Sequence, residues 1–240
     1  MKFIQNIISS KKFLVVLLTI SISVNIFSQE KTEEFQISSN YGINHFHENK
    51  YLISNVDINY IRVFSEINGS QFSISPSFTF KLFQYVELKQ TFDFWYNKLD
   101  GKYDYFELRP FQTLSFSTLD IWRVSFEPIY KLEERFFFKD GENNFEFRSR
   151  FKMNMLIPIN NKAIHDKTFF VNFSGEIYLP HKKTPDFNTN RYRLGASIGY
   201  KFNFKWKIKF DYYIDNGWEV NTASYTLDDH VFQIDLQSYF

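Results

Sequence analysis

The chain has 240 residues, 21% of them aromatic (31 Phe, 15 Tyr) and 23% charged, with a mean hydropathy of −0.34. Long uncharged runs, the mark of a helical membrane protein, are missing beyond the N-terminal stretch, and a soluble globule has no need of so many rings. Its 28 basic and 27 acidic side chains nearly cancel, so nothing points to nucleic acid, and with no cysteine there is neither a disulfide framework nor a thiolate metal site.

A β-barrel in lipid reconciles many rings with many charges, because its strands turn apolar side chains outward and polar ones inward, residue by residue. This length allows one large domain or two small ones. The N-terminus carries Lys2, Lys11 and Lys12, then an almost wholly apolar or small run over 13–26, then Phe27-Ser28-Gln29 and a charged stretch. That is a signal peptide over 1–28, cut after Ser28, with an uncleaved anchor as the alternative. No cysteine follows it, which excludes a lipoprotein anchor. Residues 29–50 are expected to be a periplasmic N-terminal segment or an extra strand, since 35–46 alternates only weakly, and 51–240 to be the barrel.

Strands follow in order. Residues 52–64 supply one, although Arg62 falls on its apolar face. Residues 72–82 place Ser73, Ser75, Ser77 and Thr79 on a polar face; 85–96 and 103–116 come next. Residues 122–133 set Trp122, Val124, Phe126 and Tyr130 against Arg123, Glu127, Lys131 and Glu133. Residues 145–155 set Phe145, Phe147, Phe151 and Met153 against Glu146, Arg148, Arg150 and Lys152. Then come 169–179, with Glu176 on the polar side; 191–202, with Arg191 and Arg193; and 206–215, with Lys207, Lys209 and Asp211. The last strand, 231–240, alternates Phe232, Ile234 and Leu236 with Gln233, Asp235 and Gln237, and stops on Phe240. Such period-two patterns are strands with one apolar and one polar face. Pro76 and Pro128 interrupt two runs and read as bulges or strand ends.

The expected fold is therefore all-β, a transmembrane antiparallel up-and-down barrel of about ten strands, with twelve as the alternative. Ten follows from placing both termini on the periplasmic side, which needs an even number. Short connections at 83–84, 120–121 and 203–205 share the periplasmic end with Phe240, and longer polar ones at 140–144, 181–190 and 220–229 share the other. The 158–167 link breaks this rule. Rings near the short-turn end (Phe83, Trp122, Phe202, Trp206, Phe240) and near the other (Phe94, Phe136, Phe138, Phe145, Tyr192) suit the two aromatic girdles of a membrane barrel.

Lys131-Leu-Glu-Glu-Arg135, Phe147-Arg-Ser-Arg-Phe151, Gly175-Glu-Ile-Tyr178 and Arg191-Tyr-Arg-Leu-Gly195 through Gly199-Tyr200, closed by a Val-Phe-Gln-Ile-Asp-Leu strand, stand in this order. Over residues 52–240 the chain resembles a family of outer-membrane barrels of Bacteroidota-type bacteria described as a domain of unknown function. The resemblance implies a barrel and an outer-membrane address. It also implies that the barrel-assembly machinery reads the C-terminal strand ending at Phe240. It brings no reaction and no catalytic residues.

The candidate functional residues are the charges of the inward parity: Arg109, Arg123, Glu127, Lys131, Glu133, Arg135, Glu146, Arg148, Arg150, Glu176, Arg191, Arg193, Lys207, Lys209, Asp211 and Asp235. Charges kept from lipid must pair or meet water, and about ten strands enclose a space that side chains can fill. A lumen held by cross-strand ion pairs is the leading expectation. A narrow conduit or pocket with a basic bias, for small polar or anionic solutes, is the second. A hydrolase is third: Asp228-Asp229-His230 resembles the acidic-His rim of the omptin outer-membrane proteases, but the Asp-x-Asp that would complete that site does not occur here. His45 and His47 share a strand face without an evident third ligand. No nucleophile motif, phosphate loop or dinucleotide fingerprint appears, so no catalytic residue, metal or cofactor is expected. The partner expected besides the assembly machinery is outer-membrane lipid.

Overall fold

The alternation is carried by eleven strands among the described residues: β1 (Phe35–Phe46), β2 (Leu52–Phe64), β3 (Gly69–Phe83), β4 (Val86–Leu99), β5 (Asp104–Phe116), β6 (Ser125–Lys139), β7 (Glu142–Pro158), β8 (Thr168–Pro180), β9 (Asn190–Asn203), β10 (Trp206–Glu219) and β11 (Ser224–Tyr239). The structure, a computed structural model, describes residues 35–240 apart from 48–50, 65–67, 100–103, 118–120, 140–141, 182–189 and 220–223. The expected signal peptide and its cleavage point lie outside the described residues.

The strands form one closed barrel in which each pairs with its sequence neighbours and β1 closes on β11. Closure leaves no edge strand among the described residues, so each strand meets a ladder on both sides over much of its length. The two faces follow the sequence parity. On β3, Phe72, Ile74, Phe78 and Phe80 are exposed while Ser73 and Ser77 are buried. Around the barrel the exposed face is apolar, as at Phe151, Met153, Phe173, Ile177, Leu194 and Ile198; the buried face is polar and charged, as at Glu107, Glu133, Glu176 and Asp211.

Eleven strands lie between the ten and twelve expected, and the count is odd. The even-number requirement assumed that the first and last strands run antiparallel. Here β1 pairs parallel with β11, from Phe35↔His230 to Asn44↔Tyr239, and antiparallel with β2. Phe35 therefore lies at the end of the barrel opposite Phe240. Weakly alternating as it is, 35–46 satisfies both edges that β2 and β11 would otherwise leave open. At the Phe240 end the seam is tied by Phe46 N–H donating to the Phe240 carbonyl (2.9 Å) and Phe240 N–H donating to the Asn44 carbonyl (2.8 Å). Asn40 and Asn44 reach from β1 to Asp235 (2.8 Å) and Gln237 (3.0 Å).

The expected division into short and long connections holds only in part. Two-residue turns at 84–85 and 204–205 share the Phe240 end with the longer 117–124 and 159–167 connections, and at the opposite end β6 and β7 are separated by two positions while β8 and β9 are separated by nine. Strands run further toward that end than the polar sequence suggests: Asn143 pairs with Phe138 and Asp229 with Asp215. Polar residues do not end a strand when a neighbouring strand offers a complementary ladder. Near the Phe240 end, residues 122–124 are not strand. Trp122 sits at φ 61° inside a turn closed by an Ile121–Val124 bridge. Pro76 lies mid-strand without a register shift, facing Val56. Pro128 lies beyond the end of the β5–β6 ladder, a strand-end position on that side.

Candidate functional site

Strands β4 to β8 place their buried charges at successive heights, and the guanidinium groups bridge between strands. Arg109 donates to Glu107 (2.8 Å) and lies 3.9 Å from Asp93. Glu107 also accepts from Arg135 (2.6 Å), which reaches on to Glu146 (2.7 Å). Glu133, with 0% of its surface exposed, accepts from Arg148 (2.5 Å) and Arg150 (2.7 Å), and Arg150 pairs in turn with Glu176 (2.7 Å). Glu107 and Glu133 are thus each shared by two guanidinium groups, and Glu146 and Glu176 are each held by one, on their own or adjoining strands, the geometry in which buried charge is tolerated.

Tyr178 joins this network to the next. The Arg148, Arg150 and Arg193 guanidinium carbons lie 5.0, 4.4 and 5.9 Å from its ring centre, as cation–π contacts. Its hydroxyl donates to Glu176 (3.2 Å) and accepts from Arg150 (3.1 Å). On the far side, Arg193 holds Asp215 (2.5 Å), Arg191 holds Asp229 (2.6 Å), and Lys209 lies 3.1 Å from Asp211 and 3.8 Å from Asp235. Other rings pack inside as well. Phe170 lies over Gly199 and Tyr213 over Gly195, where an added Cβ would come within 2.2 and 2.5 Å of the rings. These aromatics are inward residues that the set of sequence candidates left out. The available signal was parity, since Tyr178 is two residues from Glu176 and Tyr213 two from Asp211.

Of the sequence candidates, Arg109, Glu133, Arg135, Glu146, Arg148, Arg150 and Glu176 meet in the first network, and Arg191, Arg193, Lys209, Asp211 and Asp235 in the second. Glu127 accepts a hydrogen bond from Asn154 (2.9 Å). Arg123 leaves the strand pattern: as a turn residue it donates to the carbonyls of Pro158 (3.1 Å), Ile159 (2.9 Å) and Asn161 (2.5 Å), clamping the β7–β8 connection. Lys207 and Lys131 make no ion pair among the described residues; Lys131 lies over the Phe111 ring at 4.5 Å. Beside Lys131 is a cavity of about 290 Å³, lined by residues of β2 to β8.

Residues 36–225 match the model of a family described as a protein of unknown function, DUF2490. The chain belongs to the DUF2490 family. No curated protein and no solved structure matches it. The β4–β8 network and its cavity lie wholly within the DUF2490 match, whereas most of β11, with Asp229 and Asp235, lies beyond it. Elsewhere in this DUF2490 chain, His45 and His47 stack edge to face at 4.9 Å, and His47 meets Ser54 Oγ at 2.7 Å. Tyr212 hydroxyl lies 2.8 Å from His230 Nδ1. Among the described residues, no three His, Asp or Glu side chains are gathered as a metal site would need.

Proposed function

We propose that this DUF2490 chain is an outer-membrane β-barrel of a Gram-negative, Bacteroidota-type cell, exported by its 1–28 leader. In this reading it is a structural or binding element rather than an enzyme, and its lumen is filled by charge. One observation carries the reading: the barrel is apolar where exposed and charged where buried. Ile177, Leu194 and Ile198 are each more than half exposed, while Glu133 and Glu107 are at most 2% exposed. Water would favour the reverse, and a contiguous apolar patch of this extent marks a surface that something apolar covers. A 14-residue strand such as β9 spans about 46 Å at roughly 3.3 Å per residue. Tilted by about 40° it rises about 35 Å, enough to carry the roughly 25 Å apolar band of such barrels. Lipid is then the partner of the outer face, and the assembly machinery reads the strand ending at Phe240.

The shared carboxylates and the Arg–Tyr178 stack occupy the interior in place of a continuous water column, leaving the cavity beside Lys131. Arg191 holds the Asp229 carboxylate and Tyr212 meets His230, so these residues serve the wall rather than water activation. Purified protein inserted into planar bilayers tests the filled lumen. The expected result is no steady conductance; stable, ion-selective openings would move the reading to the narrow pore for small anionic solutes. The cavity beside Lys131 is the observation that favours that second reading.

A further inference from the structure

We infer that the cavity between β2 and β8 is a binding site for a small oxyanion, a phosphate or a carboxylate, held by Lys131, Lys152 and Thr91. The inference rests on the filled-barrel reading, because the site needs walls that exclude bulk water.

The lining charges do not balance. Lys89, Lys131, Arg150 and Lys152 face the cavity against Asp57 and Glu176. Both carboxylates are already engaged: Asp57 by Lys89 at 3.8 Å, and Glu176 by Arg150 at 2.7 Å, with Arg150 also on Glu133. Four cations against two anions leave Lys131 and Lys152, neither of which makes an ion pair among the described residues; Lys152 stands opposite Glu176 in the β7–β8 register, but that carboxylate is taken by Arg150. Lys131 faces Arg150 in the β6–β7 register and Ile129 faces Lys152, so the two ammonium-bearing residues are diagonal neighbours on one face, roughly 7–8 Å apart. Like charges placed so close repel, and buried cations need a counter-charge. One oxyanion between them supplies it.

A second observation points the same way. Thr91 lines the cavity, is 2% exposed, and its hydroxyl has no hydrogen-bond partner. A buried donor left unmade costs free energy, and an oxyanion accepts that bond. The volume, about 290 Å³, equals the liquid share of about ten waters, room for phosphate or a four-carbon dicarboxylate. Lys89 and Asp57, at 32% and 25% side-chain exposure, show that solvent reaches one side of this lining and give a route in.

The test is calorimetric titration of the folded full-length barrel, in a phosphate-free neutral detergent, with inorganic phosphate and separately with succinate. Saturable binding of at least one is expected. Lys131→Met with Lys152→Met is expected to weaken it at least tenfold, and Thr91→Val several-fold. Lys98→Met, an exposed lysine of β4, is expected to leave it unchanged. If the double lysine variant does not fold, Thr91→Val, close in shape to the original, decides alone. A parallel titration with a short-chain phosphatidic acid separates the sources: displacement of phosphate assigns the site to a lipid headgroup, and no displacement to a free solute. No saturable binding by folded protein, or binding undiminished in Lys131→Met/Lys152→Met and Thr91→Val, would overturn the proposal. Neither result touches the bilayer experiment, so failure here and failure of the filled-barrel reading are told apart.

Discussion

Glu133 shows how much rests on a single side chain. It is fully buried and holds Arg148 at 2.5 Å and Arg150 at 2.7 Å. Removing one partner of a buried pair costs about 3–5 kcal/mol, so Glu133→Ala is expected to lose that much in urea folding titrations from lipid. Glu176→Ala is expected to lose less, because Arg150 keeps Glu133. Adding Arg148→Met to Glu133→Ala is expected to recover part of the loss; no recovery would mean that Arg148 was not stranded. Parity made these residues legible from the sequence, but it did not choose their partners. Glu176 and Arg193 face each other in the β8–β9 register, yet Arg193 turns over Tyr178 and Tyr213 to Asp215. A long guanidinium stem reaches several neighbours, and which one it takes depends on the inward rings, which alternation alone does not reveal. Gly199 belongs here too. Its missing Cβ makes room for the Phe170 ring, an aromatic 2% exposed. Gly199→Ala is expected to destabilise by about 1–3 kcal/mol through overpacking, measured in the same titration.

At the scale of one strand, β10 separates the two faces most sharply. Phe210 is exposed, whereas Asp211 is buried, accepting from Ser197 (2.5 Å) and paired with Lys209 (3.1 Å). If the exposed face meets hydrocarbon, Phe210→Arg costs roughly 2–4 kcal/mol near the midplane of the bilayer. Asp211→Asn is expected to cost less, since the amide still accepts from Ser197. Folding into vesicles compares the two. A neutral or stabilising Phe210→Arg would place that face in water. Strand existence and facing were the most legible part of this chain, because period two is written directly in Trp206, Ile208 and Phe210 against Lys207, Lys209 and Asp211. Strand ends were less legible. Arg123 continues the alternation of β6 and yet lies in a turn, because its backbone follows the Ile121–Val124 bridge and its guanidinium finds three carbonyls of the next connection. At the other extreme, Asn143 and Asp229 read as loop and are paired in ladders.

For the molecule as a whole, the feature hidden from the sequence is closure. No local pattern marks a strand as parallel to one nearly two hundred residues away, and the weak alternation of β1 permitted either a strand or a free segment. The seam makes Phe240 part of the wall through two backbone hydrogen bonds with β1. Deleting Phe240 is expected to reduce the yield of folded, heat-modifiable barrel in membranes, and normal yield would argue that the seam closes without it. The central claim is that the apolar face meets lipid while the charged face is packed shut. Adjacent residues of β8 test both halves at once. Phe173 is 47% exposed, and Asn172 is 7% exposed with its side-chain oxygen unpartnered. The chain has no native cysteine, so Phe173→Cys and Asn172→Cys each accept a single nitroxide label. In lipid vesicles, collision of the label with oxygen, which enters hydrocarbon, is compared with collision with a nickel chelate, which stays in water. The expected result is high oxygen and low nickel access at 173, with low access to both at 172. Nickel access at 173 would contradict the lipid-facing wall, and nickel access at 172 would contradict the filled lumen.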